Sequence, residues 1–575
     1  MTAAPSVRAP GPTGDSAGAI NNPVLPGFHP DPSILRVGTD YYLATSTFEW
    51  LPGVTLHHSR DLVHWRSLGG VLDQDRLVEL TGRPDSGGVW APCLSYTDGE
   101  FHLVYSDVTN LSGAFKDVRN QVITAPTPQG PWSDPVPFPS HGFDPSLFHD
   151  DGPGGDGRSW ALWMEWDHRP GRHPFGGILL QEWDRTARRV TGPVHRIFTG
   201  TGLAHTEGPH LYHRDGRYYL VTAEGGTGWN HAVTVARAPR PEGPYETDPA
   251  GPLLTSAGDA DHPLQKAGHG SLVATPAGEW FLAHLVARPL TPRGACVMGR
   301  ETAIQRIEWT PDGWPRLADA PGEDPAAPRT TVPGPALPPA PFPDPPARDD
   351  FDAPDLGPLW STLRRHPAPD WLSLTERPGH LRLRGAQSLG STHHQSLVAR
   401  RQQSPVLTFT TAMSAEPRSP LQMSGLVHYY NSTLWHYLHL TWDEELGRVL
   451  RLGVCDRGAY REPCAPLPVG DGPLELRLTV RGERALFSVR QVRQDGQDGQ
   501  EGQDGWQPVG PELDTSPLSD ENATQGDPDT GHFRTWGFTG AFIGLCAQDL
   551  TGAAAPADFD WTEYRADTLP GAAAQ

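Results

Sequence analysis

Cysteine is scarce in this chain: five residues in 575, an odd number, none spaced as a CxxC pair. That excludes a metal–thiolate site, and Cys93, Cys296, Cys455, Cys464 and Cys546 read as reduced thiols of a cytoplasmic protein. Long apolar runs are missing as well. Met1 to Ile20 carries one arginine and no apolar core of signal-peptide length, and no segment approaches the ~20 apolar residues of a membrane-spanning helix. We therefore expect an intracellular soluble protein with a disordered N-terminal tail, residues 1–20. Positive charge is short: 46 Lys and Arg face 68 Asp and Glu, leaving a formal −22. Nucleic acid and anionic membranes are poor partners for such a surface, and a neutral substrate fits better.

What is abundant points to strands and turns. The 19 Trp, 64 Gly and 62 Pro, beside five Met, describe a turn-rich all-β protein. At 575 residues the chain exceeds one ordinary core, so two large domains are the economical count.

A fivefold pattern orders the first half. Thr39-Asp-Tyr-Tyr-Leu43, Gly99-Glu-Phe-His-Leu103, Ser159-Trp-Ala-Leu162, Gly216-Arg-Tyr-Tyr-Leu220 and Gly278-Glu-Trp-Phe-Leu282 end in leucines 60, 59, 58 and 62 residues apart. Each follows a turn signal and alternates as a strand does, so each reads as the second strand of a repeated antiparallel unit. Five such units make a five-bladed β-propeller, expected over residues 21–320. About ten residues before each lies a second periodic element: Asp31-Pro-Ser33, Trp90-Ala-Pro92, Asp144-Pro-Ser146, Glu207-Gly-Pro209 and Gly268-His-Gly270. These are expected to be the innermost strands, lining the axis. The Pro/Ala run at 321–348 reads as a stiff linker that cannot hold a ladder. A second domain is expected over 349–566, where His380 to Arg384, Val427 to Trp442, Leu474 to Val480 and Phe538 to Leu545 carry the strand patterns of a β-sandwich. Gln494 to Gly505 reads as a low-complexity loop, and 567–575 as a C-terminal tail.

The periodic positions carry acids: Asp31, Asp144 and Glu207. One isolated Asp-Pro-Ser is simply a turn. Two copies, with a Glu at the equivalent place in a third unit, can instead converge on one axis and do acid/base work. Inverting glycoside hydrolysis needs such a set: one carboxylate to activate water and one protonated acid for the leaving oxygen. The prolines flanking Asp31 fix its backbone and remove amide donors, presenting the side chain.

At this point a family resemblance becomes explicit. Asn22-Pro-Val-Leu-Pro-Gly-Phe-His-Pro-Asp-Pro-Ser-Ile34, Asp144 before Ser146-Leu-Phe, Thr206-Glu-Gly-Pro-His-Leu-Tyr212 and Met298-Gly-Arg-Glu-Thr302 resemble the β-xylosidases of glycoside hydrolase family 43, over roughly residues 21–565. The resemblance implies a concanavalin-like sandwich after the propeller, Asp31 as general base, Glu207 as general acid and Asp144 as the carboxylate that raises the acid's pKa. A charge beside Glu207 would indeed keep it protonated. It further implies that Arg300 pairs with substrate hydroxyls and the acids, and that Trp90 and Phe48 wall the subsite for the cleaved sugar. Thr227 and His269 join the substrate-binding set, and an aromatic of the second domain, Phe538 rather than Phe533 or Phe542, reaches the pocket mouth. His269 at the propeller centre is expected near a structural calcium or an ordered water; otherwise no cofactor is required. Cys93 stands where the family more often carries a polar residue, and no triad surrounds it that would make it catalytic.

The expected activity is that of an inverting exo-1,4-β-xylosidase removing xylose from the non-reducing end of xylooligosaccharides, as a homo-oligomer. An α-L-arabinofuranosidase on the same scaffold, or a bifunctional enzyme, is the nearest rival. A non-catalytic carbohydrate-binding protein is a third reading, and a retaining sucrose or fructan enzyme, with the first Asp as nucleophile, a fourth.

Overall fold

A computed structural model describes residues 18–318, 324–492, 505–526 and 533–566. The tail residues 1–17 and 567–575, and all but Gly505 of the low-complexity loop, lie outside the described residues. Five sheets form the propeller. Their second strands, Asp40–Thr45, Glu100–Asn110, Ser159–Trp166, Arg217–Glu224 and Trp280–Ala287, carry the periodic aromatic–leucine elements. The first strands, Ser33–Val37, Gly88–Thr97, Ser146–His149, Glu207–Arg214 and Gln265–Ala274, pack against one another in a closed ring. Serines stitch that ring: Leu94 N donates to Ser33 Oγ at 3.0 Å, and Ile34 N to Ser271 Oγ at 3.0 Å. Ser33 of the first Asp-Pro-Ser thus satisfies an amide of the neighbouring blade, where inner strands have no ladder partner.

The circle closes through the N-terminal segment. Leu25 bridges Thr302, and His29 N donates to Arg300 O at 2.9 Å. The segment expected as a ladder-free linker is different in one respect. Thr331–Pro333 pairs antiparallel with Ala19–Asn21, because a short edge strand can place its proline where no donor is needed. Ala340 N donates to Asp61 Oδ2 at 2.8 Å and Phe342 lies under Arg66, so the run wraps the propeller rather than standing off it.

The second half is a sandwich of two nine-stranded sheets. Leu474–Arg481 alternates as expected of a half-buried strand, with Leu474, Leu476, Leu478 and Val480 in the sandwich core. Gln422–Asn431 does not alternate, because both faces are covered. Leu426 enters the sandwich core while Val427 and Tyr429 join the propeller-side cluster with Trp50, Phe48 and Phe542. The shared sheet goes further: Trp50–Leu51 of blade one pairs with Ser361–Leu363, and Trp50 stacks on Phe542 at 3.8 Å. Of the expected Phe538 to Leu545 strand, only Phe542–Asp549 forms. The preceding residues make a loop that reaches back over the propeller. There a Cβ on Gly299 would lie 2.1 Å from Thr539 O, and one on Gly540 2.5 Å from Met298 O. Both backbones must be bare for the loop to seat.

Candidate active site

The three acids meet at one end of the propeller axis. Asp31 and Asp144 stand just before their inner strands with φ of 54° and 52°, in the left-handed region that Asp tolerates better than most residues. Asp31 Oδ2 accepts from Ser46 Oγ at 2.7 Å, and its Oδ1 lies 3.3 Å from Arg300 Nη1 and 3.7 Å from His269 Nδ1. Glu207 opens the inner strand of blade four, and the next amide, Gly208 N, donates to Asp144 Oδ2 at 3.0 Å. The bond ties the third carboxylate to the strand that carries Glu207. His269 packs flat on Gly208, where a Cβ would meet its ring at 3.0 Å.

Shared burial and different neighbours set the acids apart. Burial pushes Asp31 up, but Arg300, His269 and the Ser46 hydroxyl outweigh it and hold the carboxyl below its usual range. Burial and the charge of Asp31 push Asp144 up to about 8. Glu207 goes well above the carboxylate range through burial, then Asp144 and Asp31. One acid is kept ionised and its partner kept protonated, which is the division of labour that acid/base catalysis requires.

Arg300 joins floor to roof. Its Nε and Nη2 donate to Phe538 O at 3.1 and 2.9 Å, while its guanidinium carbon sits 5.3 Å from the Phe48 ring and 5.1 Å from the Phe538 ring. Trp90 completes the wall, 6.0 Å from Phe48 and 5.8 Å from Phe538, and its Nε1 donates to Ser86 O. Ser86 Oγ in turn accepts from Phe538 N and donates to Trp536 O. Thr227 lines the same cavity, whose volume is about 130 Å3. Every residue nominated from the sequence for catalysis or substrate binding is in this lining. Phe533 and Phe542 are not: the first is 38 % exposed and packs tilted against Trp536, the second is buried against Trp50.

Sequence reasoning missed Lys116, Phe143, Trp166, Phe175 and Trp536, which also line the pocket. Lys116 had a signal. Only two of the 46 Lys and Arg are lysines, Lys116 and Lys266, so lysine stands where arginine is otherwise the rule. Lys116 Nζ donates to Leu111 O at 2.9 Å and lies 4.5 Å from the Trp166 ring and 5.2 Å from the Trp536 ring; burial lowers it to about 8, with Glu207 opposing. Lys266 anchors the roof from below. Its Nζ reaches Glu521 Oε1 at 2.5 Å and Asp520 Oδ2 at 3.3 Å on the short helix Asp520–Ala523, the only helix among the described residues. That helix holds the roof loop: Thr535 Oγ1 donates to Ala523 O, and Gly537 N to Thr524 Oγ1.

The calcium expectation finds no cage. Calcium takes six to eight oxygens, whereas His269 offers nitrogen and faces a carboxylate already served by Arg300. Among the described residues no group of three or more His, Cys, Asp or Glu could hold a metal ion. Cys93 is buried on the inner strand of blade two with its thiol pushed up to about 11 by burial, unsuited to a nucleophile's role.

A propeller whose axis ends in buried carboxylates, walled by aromatics and sized for a small ring, defines a glycoside hydrolase. Comparison with known proteins makes this specific. Residues 20–315 match Glycosyl hydrolases family 43, and residues 348–565 match the Beta xylosidase C-terminal Concanavalin A-like domain. The chain belongs to glycosyl hydrolases family 43. It is 43 % identical to a Beta-xylosidase of Bacillus subtilis (strain 168), across 95 % of this chain and 99 % of that protein. A Non-reducing end alpha-L-arabinofuranosidase of Bacteroides ovatus is 33 % identical across 95 % and 94 %. Among solved structures, that of a xylan beta-1,4-xylosidase from Bacillus Halodurans C-125 superposes with a TM-score of 0.88 at 50 % identity, covering 95 % of this chain and 100 % of that one.

Proposed function

We propose that the protein is an inverting exo-1,4-β-xylosidase acting on xylooligosaccharides. In this reading ionised Asp31 takes a proton from water as its oxygen attacks the anomeric carbon, and protonated Glu207 gives its proton to the departing glycosidic oxygen. Asp144 keeps Glu207 protonated, and Arg300 orients both Asp31 and the sugar hydroxyls. The observation that carries the reading is the opposed protonation of Asp31 and Glu207 in one aromatic-walled pocket. A cavity of about 130 Å3, below the ~300–1,000 Å3 of sites for larger ligands, suits a single terminal ring and so supports exo action. Following the first-released anomer by NMR tests substrate and stereochemistry together. A β-xyloside should release α-xylose, and β-xylose would overturn inversion.

α-L-Arabinofuranosidase activity is the second reading, favoured by the Bacteroides ovatus relative. Rates on nitrophenyl β-D-xylopyranoside and nitrophenyl α-L-arabinofuranoside divide the two. The same proposal keeps the protein a homo-oligomer of the cytoplasm, to be checked by sedimentation velocity and cell fractionation; five free thiols support the reducing compartment.

A further inference from the structure

Beside the catalytic pocket lies a second cavity of about 350 Å3, and the two share a wall made of Lys116 and Trp166. Phe115 to Val118 of blade two form one bank, and Glu165 to Arg169 of blade three the other. The banks are braced, because Trp166 Nε1 donates across the gap to Ala114 O at 2.9 Å. Among the described residues Phe115 is the most exposed large hydrophobic side chain, at 63 %, and its ring lies 4.8 Å from that of His168. An aromatic face left in solvent beside a polar groove is how proteins receive the C–H face of a sugar ring.

The charges of the groove are largely spoken for. Arg169 pairs with Asp167, and Glu165 with Arg196, so the lining offers polar groups of little net charge to a neutral, hydroxyl-rich ligand. The space is more than twice that of the pocket that takes one ring. A substrate entering with its non-reducing end must send the rest of its chain out past the mouth, and Lys116 and Trp166 stand where mouth and groove adjoin.

We infer that this groove binds the pyranosyl residues of the leaving group that lie beyond the first, with Phe115 as their stacking platform. The inference rests on the exo-xylosidase reading. It makes the enzyme sensitive to substrate length: kcat/KM rises from xylobiose to xylotetraose, although only one bond at the non-reducing end is cut.

Kinetics on nitrophenyl xyloside, xylobiose and xylotetraose, for wild type, Phe115→Ser and Phe115→Trp, test it. Phe115→Ser should lower kcat/KM for xylotetraose about fivefold and leave the two short substrates within twofold, and Phe115→Trp should keep the advantage of the longer chain. A wild type that cleaves the xyloside but gains nothing with length overturns the groove alone. So does a Phe115→Ser variant whose loss is equal on all three substrates. A wild type inert on xyloside and xylobiose overturns the underlying reading, and the groove with it.

Discussion

The floor and the roof of the pocket are built of opposite materials. Asp31, Asp144 and Glu207 make a floor of charge, set on blades whose inner strands interlock, and each carboxylate is defined by a named neighbour: Arg300, Gly208 N, Asp144. Phe538 and Trp536 make a roof of apolar rings on a loop of the other domain, seated by backbone hydrogen bonds to Arg300 and Ser86. The floor sets protonation and so carries chemistry; the roof sets shape and so carries fit. The two lysines repeat the contrast. Burial lowers Lys116 among aromatics to about 8, whereas Asp520, then Glu521, raise Lys266 against its burial.

Substitution can break this division. On the floor, Asp31→Asn and Glu207→Gln should each lower kcat on xylobiose by about 10²–10⁴. With a nitrophenyl leaving group, which departs without a proton, the Glu207→Gln loss should shrink while that of Asp31→Asn stays. Equal losses on both substrates would refute the separate roles.

At the roof's anchor, Lys266→Met takes the ammonium from buried Asp520 and from the more exposed Glu521. Urea unfolding should read a destabilisation of about 3–5 kcal/mol, largely recovered by adding Asp520→Asn and Glu521→Gln. A variant as stable as wild type would show that the loop is not held from below. Phe538→Ala should raise KM about tenfold, or about 1.4 kcal/mol, with kcat changed far less, because its carbonyl remains for Arg300. A fall in kcat alone would move the roof into the chemistry.

The smallest effect is one of pH. Glu207 works protonated, and once Asp144 ionises, at about pH 8, its negative charge opposes loss of that proton. Asp144→Asn removes that charge, lowers the acid's pKa and should shift the alkaline limb of kcat/KM toward lower pH. The acid limb, set by Asp31 below its usual carboxylate value, should stay or move slightly down. An alkaline limb that stays put would assign it to another group.

What could be read in the chain follows the same line. Blade strands repeat because each second strand is clamped between two neighbours, so Tyr41, Phe101, Trp160, Tyr218 and Trp280 recur in step and the acids fall at matching places. Trp166, Phe175 and Lys116 sit near the tops of blades, where no period operates, and only the fold shows that they face one cavity. Phe538 was reached through family resemblance, its neighbour Trp536 was not, and nothing local in Trp50-Leu51 or Thr331-Val-Pro333 announces a partner hundreds of residues away.

That small strand at Trp50–Leu51 has a consequence for how the protein can be taken apart. It makes the seam between propeller and sandwich a sheet rather than a hinge, with Phe542 laid on Trp50 across it. A chain cut after residue 320 would therefore bare a strand edge and an indole face together. Such an excised half should show itself first as an aggregate, and the intact protein should melt in a single step.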